Sequence, residues 1–211
     1  MNMENISLRE RKKAKTKLAL YEASLELIVH QPFRDMKVED ICARAEVSKV
    51  TFFKCFPQKE DILIYYMCVW LTGRWLEIEK RGLRGWETAE HLFASVATED
   101  QRRPGMMLRL IGLLAEAKMH PCMPTLSDAE ISLLFPEEKR QARAVDPRMD
   151  VLMERIVEEA RADGQANTEL SVEQMTAMLF TIFYGAYLTA HIMQRRDIVR
   201  CYEEHLNILK K

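Results

Sequence analysis

The sequence predicts an all-α protein, with a small N-terminal domain at residues 1–57 and a larger helical body at residues 58–211. Its composition favours helices, because Ala, Leu, Glu, Met and Arg are plentiful while the 211 residues include only seven Gly and seven Pro. Apolar residues also recur at the three- and four-residue spacing of amphipathic helices. A chain of this length is large enough to bury one sizeable core or two modest ones.

The most informative stretch is residues 38–59. Its first part has the apolar stripe of a short helix. The three residues that follow, Glu46 to Ser48, are too few for anything but a tight turn. Ser48 is a natural N-cap for a second helix, because its hydroxyl accepts from an otherwise unpaired backbone N–H. The stripe falls at positions i, i+3, i+4 and i+7: Val38, Ile41, Cys42 and Ala45.

The second helix predicts a buried side and an outward side. Phe52 and Phe56 are four residues apart and are expected to be buried together, and Pro57 ends the helix. Two short helices, a turn of about three residues and a basic outward face predict a helix-turn-helix. An ordinary helical hairpin within a bundle is the alternative. The outward face consists of Lys49, Val50, Phe53 and Lys54.

The residue order Ile-x-x-x-Ala-x-Val-Ser-Lys-x-Thr-Phe-Phe-x-x-Phe-Pro-x-Lys-Glu, at 41–60, resembles the DNA-binding domain of TetR/AcrR-family transcriptional regulators. The resemblance extends from Leu20 to Leu63. The rest of the chain is similar to the family only in being helical and of suitable length. The resemblance implies a three-helix DNA-binding domain followed by a helical ligand-binding and dimerisation domain.

The recognition helix supplies the candidates for DNA contact. Its N-terminal residues reach base edges in the major groove, which makes Lys49, Val50 and Phe53 the base-facing candidates. Val50 is alternatively a cover for the core. By matching positions in the family motif, the resemblance implies contacts to backbone phosphate from four further residues: Thr51, Lys54, Cys55 and Lys59.

Several positions depart from the family pattern. Glu46 stands where glycine is usual, and a positive φ there would cost about 1 kcal/mol. Phe53 stands where tyrosine is frequent, so only apolar contact remains. Cys55 replaces a usual Tyr or His, and Lys37 occupies the position of a capping Thr. These changes affect the expected operator sequence more than DNA binding itself.

Charge is unevenly distributed along the chain. Residues 1–60 contain 12 Lys and Arg against 9 Asp and Glu, a net of +3, although the whole chain has a net charge of −1. Six basic residues and one acid lie between Arg9 and Lys17. A local basic patch of this kind suits phosphate contact, and a solvated helix end is the alternative.

Helix-breaking and helix-capping residues predict the remaining elements. The first helix is expected to stop near Gln31, before Pro32, with Phe33 packing into the three-helix core. Asp146-Pro147 is interpreted as the N-cap and first residue of a helix that ends at Gly164. Ser171 to Gln174 is a capping box that opens a long uncharged helix reaching Met193, and Asp197 caps the last helix.

The body is expected to contain a ligand pocket, as in members of the resembled family. The aromatic, methionine and histidine side chains proposed to line it are Trp70, Met107, Met178, Phe183, Tyr184, Tyr187 and His191. Segments this apolar must bury their surface, so residues 171–194 and 197–209 are expected to form a homodimer interface. The residues assigned to that interface are Phe183, Tyr187, Ile198, Tyr202 and Leu206.

Other function classes are disfavoured. No G-x-S-x-G, P-loop, H-E-x-x-H or dinucleotide motif is present, so we expect no enzyme and no cofactor. His120 and Cys122 are interpreted as loop residues rather than metal ligands. The five scattered cysteines are typical of reduced thiols in the cytoplasm. The segment Met175 to Met193 is long enough to span a bilayer, but a helix buried on nearly all sides is the preferred interpretation.

The sequence therefore predicts a cytoplasmic one-component regulator, more typical of a repressor than of an activator. It is expected to bind double-stranded operator DNA as a homodimer and to respond to a small lipophilic effector. A regulator of the same fold without an effector, controlled by oxidation or by a protein partner, is one alternative. A helical adaptor without a DNA role is the other.

Overall fold

A computed structural model describes residues 6–116, 123–167 and 169–211. All regular elements in these ranges are helices, as predicted. The α-helices are α1 (Leu8–His30), α2 (Val38–Arg44), α3 (Lys49–Cys55), α4 (Asp61–Arg81), α5 (Gly85–Arg102), α6 (Met106–Glu116), α7 (Asp128–Leu134), α8 (Lys139–Ala144), α9 (Met149–Ala162), α10 (Val172–Ile192) and α11 (Ile198–Leu206). A 3-10 turn, Phe33–Asp35, follows α1.

One compact unit comprises Met1–Leu76 and Glu116–Pro147. In it α1 packs against α2, α3 and α7, and α7 packs against α8. Met36 is fully buried in this unit, whereas Phe33 is only half-buried. Met36, rather than Phe33, is therefore the core residue of this segment.

The second compact unit comprises Glu77–Ala115 and Arg148–Lys211. Here α9 packs between α5 and α10, and α11 packs on both α5 and α10. Gly85 allows the close approach of α5 to α9, because a Cβ at this position would lie 3.1 Å from the Ala160 backbone. Gly85 also has a φ of +50°, which disfavours side chains. The boundary at residue 57, between the DNA-binding domain and the helical body, stays a prediction.

Local capping rules predicted several helix boundaries. Ser171 and Gln174 form the expected capping box, Asp197 caps α11, and Gly164 has a φ of +71° at the end of α9. The predicted start of α9 was wrong, because Arg148 rather than Asp146 is the N-cap and has an extended backbone. Arg148 binds Asp150 through both oxygens, at 3.2 and 2.9 Å, so this pair marks the first turn.

Candidate nucleic-acid interface

The turn between α2 and α3 has the geometry of a helix-turn-helix. Glu46 adopts a φ of 55°, the left-handed conformation that the sequence anticipated. The Val47 amide donates to the Cys42 carbonyl over 3.0 Å and closes the turn. Ser48 then caps α3 by accepting from the Thr51 amide at 3.2 Å. These contacts fix where the recognition helix α3 begins.

Buried aromatic residues anchor the inner side of α3. Phe52 and Phe56 are both fully buried, and their ring centroids lie 6.0 Å apart. Phe56 also meets Tyr65 of α4 edge to face, with centroids 5.6 Å apart. Because this side of α3 is anchored, its opposite side is fixed in orientation and faces outward.

The three base-facing candidates lie on that outward side. The fractional exposures of Val50 and Phe53 are 65% and 49%, and the Lys49 side chain is 55% exposed. The alternative that Val50 covers the core is therefore wrong. A convex face with one cation and two apolar side chains suits the major groove, where apolar groups meet thymine methyls and Lys meets guanine.

The four phosphate candidates occupy different environments. Lys54 is exposed on α3, and Thr51 is half-buried with its hydroxyl 3.0 Å from that of Ser48. Cys55 is half-buried, and burial raises the pKa of its thiol despite the nearby Lys17 and Lys13 ammonium groups. Lys54 is thus the candidate best placed to meet a phosphate.

Lys59 is placed differently from the other candidates. Its ammonium donates to the carbonyls of Phe33 at 2.8 Å, Met36 at 3.1 Å and Arg34 at 3.2 Å. A lysine has three N–H donors, so all of them have acceptors within the protein. The geometry indicates that Lys59 stabilises the fold by linking the segment before α4 to the 3-10 turn.

Glu39 is a residue of this surface that sequence reasoning missed. The Lys49 ammonium donates to the Glu39 carboxylate, which lies on α2 across the turn. This hydrogen bond is the main reason why the pKa of Glu39 lies below its ordinary value. Charge-pairing rules within one helix did not find the contact, because it joins two helices.

The basic run at the start of α1 is divided in the structure. Ser7 and Glu10 form a capping box at its beginning, and five cations lie on the exposed surface. Lys17 instead points inward, where it pairs with Glu130 over 2.7 Å. The five residues that remain available for phosphate are Arg9, Arg11, Lys12, Lys13 and Lys15.

The predicted ligand-binding residues do not share one environment. Trp70 lies in the first compact unit beside Arg74, whose guanidinium is 5.6 Å from the indole centroid. The other six belong to the second unit. Met107, Phe183 and Tyr187 are buried, Met178 and Tyr184 are half-buried, and His191 is exposed. Their role in binding a ligand stays a prediction.

Asp100 is a polar neighbour of these residues that the sequence did not single out. The buried Tyr187 hydroxyl donates to the Asp100 carboxylate, and the Gly105 amide donates to the same oxygen over 3.2 Å. Burial is the main reason why the pKa of Tyr187 is raised, and Asp100 adds to the shift. This pair places one acidic group beside the aromatic residues of α10.

The residues assigned to dimerisation are mostly buried in the core of the second compact unit. Phe183, Tyr187, Tyr202 and Leu206 are buried, and only Ile198 is partly accessible. Tyr202 stacks on Phe93 of α5 with ring centroids 4.4 Å apart, and its hydroxyl donates to the Phe183 carbonyl over 2.8 Å. Their role in a dimer stays a prediction, and in this structure they pack within the second compact unit.

The outer side of α10 is more accessible than predicted. In the most apolar 18-residue stretch of this helix, 39% of the residues are buried within the described chain. The prediction that the helix is buried on nearly all sides was therefore wrong. Leu188 is 37% exposed and Ile192 is 69% exposed. The helix is long and apolar enough to cross a membrane by length and composition alone, which is weak evidence. The accessible stripe on this side contains Ala177, Thr181, Leu188 and Ile192.

Within the described ranges, no group of three or more His, Cys, Asp and Glu side chains is arranged to hold a metal ion. His120 and Cys122 lie outside the described residues.

The capped turn, the anchored α3 and its outward basic and apolar face define a helix-turn-helix DNA-binding protein. Residues 20–66 match the family model of bacterial regulatory proteins of the tetR family. Residues 20–66 therefore match the DNA-binding domain of this family, as the motif predicted. Members of the family are DNA-binding transcriptional regulators. The sequence matches no curated protein.

Solved structures share the fold along nearly the whole chain. The TetR-family repressor FadR from Thermus thermophilus, in complex with lauroyl-CoA, is 21% identical, with a TM-score of 0.61 and coverage of 91% of this chain and 92% of that one. The reduced form of Escherichia coli NemR is 15% identical, with a TM-score of 0.58 and coverage of 93% and 97%. Salmonella enterica GusR is 14% identical, with a TM-score of 0.53 and coverage of 99% of both chains.

Proposed function

We propose that this chain is a cytoplasmic transcriptional repressor that binds a palindromic operator as a homodimer and is released by a small lipophilic effector. The observation that supports DNA binding is the outward face of α3, where Lys49, Val50 and Phe53 are exposed above the buried Phe52 and Phe56. A helix held in this way fits the major groove. In this account the protein is neither an enzyme nor a membrane protein.

Titration of a fluorescent duplex at several salt concentrations tests the DNA-binding function. Binding through phosphate contacts weakens linearly in log–log form as salt rises, because condensed counterions are released. Failure to bind duplex DNA at low salt would instead support a helical adaptor without a DNA role.

The homodimer is supported by the accessible stripe on α10. Leu188 and Ile192 expose apolar surface one turn apart, with Thr181 on the same side. Two copies related by a two-fold axis would bury this stripe against itself. The dimer then sets the spacing of two recognition helices, and a palindromic operator mirrors that symmetry.

The effector is supported by the apolar and aromatic content of the second compact unit. Tyr184 is half-buried, burial raises the pKa of its phenol, and the Asp100 carboxylate lies against Tyr187. An apolar site with few polar groups favours a lipophilic ligand, and Asp100 favours a neutral or cationic one. The fold is shared with FadR, which binds lauroyl-CoA.

Calorimetry with and without operator tests the effector. If an effector lowers operator affinity, operator must lower effector affinity by the same factor, typically about 5- to 150-fold. Candidate lipophilic compounds that do not bind the protein, or that bind without changing its operator affinity, would support a regulator without an effector. Control by thiol oxidation is disfavoured at three cysteines, because burial raises the pKa of Cys42 and Cys55 and brings that of Cys68 to about 11.

A further inference from the structure

The ion pair between Glu39 and Lys49 lies on the surface that the proposed function assigns to DNA. Lys49 is the first residue of the recognition helix, and Glu39 is the second residue of α2. Each side chain is 55% exposed. Exposed ion pairs contribute little to folding stability, so the fold does not need this one.

A carboxylate at such a position opposes indiscriminate DNA binding. It repels backbone phosphates, and it occupies a cation that would otherwise neutralise one. In the major groove, however, Glu accepts a hydrogen bond from the cytosine amino group, while Lys donates to guanine O6 and N7. Glu39 and Lys49 together offer one acceptor and one donor side by side.

Pairing also restricts where the Lys49 ammonium lies. Lysine is a point charge on a flexible four-carbon stem and meets phosphates from many directions. The hydrogen bond to Glu39 holds it near the beginning of α3, which is the end of a recognition helix that reaches base edges. A held lysine is better suited to a base edge than to the variable phosphate positions.

We propose that Glu39 is a specificity-determining residue of the DNA interface, which positions Lys49 at a base edge and accepts from a cytosine amino group. The inference rests on the DNA-binding function proposed above. It predicts a preferred G·C base pair in each half-site and a weakened affinity for unrelated DNA.

The test compares wild-type protein, Glu39→Gln and the control Glu26→Gln. Glu26 is a matched control, because its side chain is 56% exposed and pairs with Arg44 of α2. Both substitutions remove one negative charge and one surface ion pair. Each protein is titrated with a random-sequence duplex across a salt series, and each selects its preferred sites from one random duplex library.

For Glu39→Gln we expect about three- to tenfold tighter binding to the random duplex and a salt dependence steeper by about one unit, since Lys49 becomes free to contact phosphate. Selected sites should lose the fixed G·C pair, with discrimination falling about tenfold or more. Wild-type-like behaviour of Glu39→Gln, or equal changes in Glu26→Gln, would overturn the inference while DNA binding stands. Absence of salt-dependent binding by the wild-type protein would overturn both.

Discussion

The Lys17 ammonium lies 2.7 Å from the Glu130 carboxylate, in a buried ion pair that joins α1 to α7. The Tyr65 hydroxyl donates to the same carboxylate oxygen over 2.8 Å. Ser127 donates to the other oxygen from its amide at 2.9 Å and its hydroxyl at 2.6 Å. Lys17 Nζ also lies 4.2 Å from the Tyr65 ring centroid. Residues far apart in sequence are thus held in one polar cluster inside the first compact unit.

Removing the Glu130 charge should destabilise the protein. Glu130→Gln leaves the largely buried Lys17 ammonium without a counter-charge, and breaking such a pair costs about 3–5 kcal/mol. Urea denaturation measures the free energy of unfolding. The exposed pair of Glu26 and Arg44 provides the control, and Glu26→Gln should change stability by less than about 1 kcal/mol. Equal stability of Glu130→Gln and wild type would contradict this account of the cluster.

The same cluster predicts a pH dependence of stability. Burial by itself raises the pKa of Glu130, but the hydrogen bonds from Lys17 and Ser127 outweigh it, so the pKa lies below the ordinary 4.5. The unfolded state therefore binds a proton at a higher pH than the folded state does. The stability contributed by Glu130 is present above the unfolded pKa and is lost as pH falls through the folded pKa. Urea midpoints measured from pH 6 down to about pH 3 should decline less steeply for Glu130→Gln; parallel curves would refute the prediction.

Substitution of Lys59 and of Lys54 should distinguish a residue that stabilises the fold from one that contacts DNA phosphate. Lys59→Ala leaves the carbonyls of Phe33, Arg34 and Met36 without their shared donor, and should lower the free energy of unfolding by about 1–3 kcal/mol. Lys54→Ala should leave stability unchanged, weaken binding to all duplexes alike and reduce the salt dependence by about one unit. Urea denaturation and duplex titration of both variants decide the matter. A stable Lys59→Ala protein with a reduced salt dependence would reverse the assignment.

The accessible side of α10 should form the dimer. Leu188→Glu and Ile192→Glu place a charge on exposed positions, so we expect folded monomers that bind operator weakly. Leu206→Glu instead places a charge in the core, where Leu206 is fully buried, and should unfold the subunit. Light scattering and circular dichroism at micromolar concentration distinguish these outcomes. A monomeric wild type, or dimers of both α10 variants, would exclude this interface.

Sequence reasoning succeeded where the determining interactions are local. Ser48 and Ser171 each cap a helix by accepting a hydrogen bond from the backbone amide three residues later in the chain. The four-residue spacing of Phe52 and Phe56 correctly predicted the buried side of α3. It was less successful where tertiary contacts decide. Lys59 reaches carbonyls more than twenty residues away, and Glu39 meets Lys49 across the turn. The buried packing of Tyr202 on Phe93 likewise depends on a helix distant in sequence.

DNA binding by the outward face of α3 is tested most directly by Lys49→Ala. The probe is a duplex of about 30 base pairs selected by the wild-type protein from a random library. Wild-type binding should weaken steeply with salt, and Lys49→Ala should lose about 1–3 kcal/mol of binding free energy while relaxing the preference at one base pair. A folded Lys49→Ala protein with wild-type affinity and preference, or a wild-type protein that binds no duplex at low salt, would contradict the account.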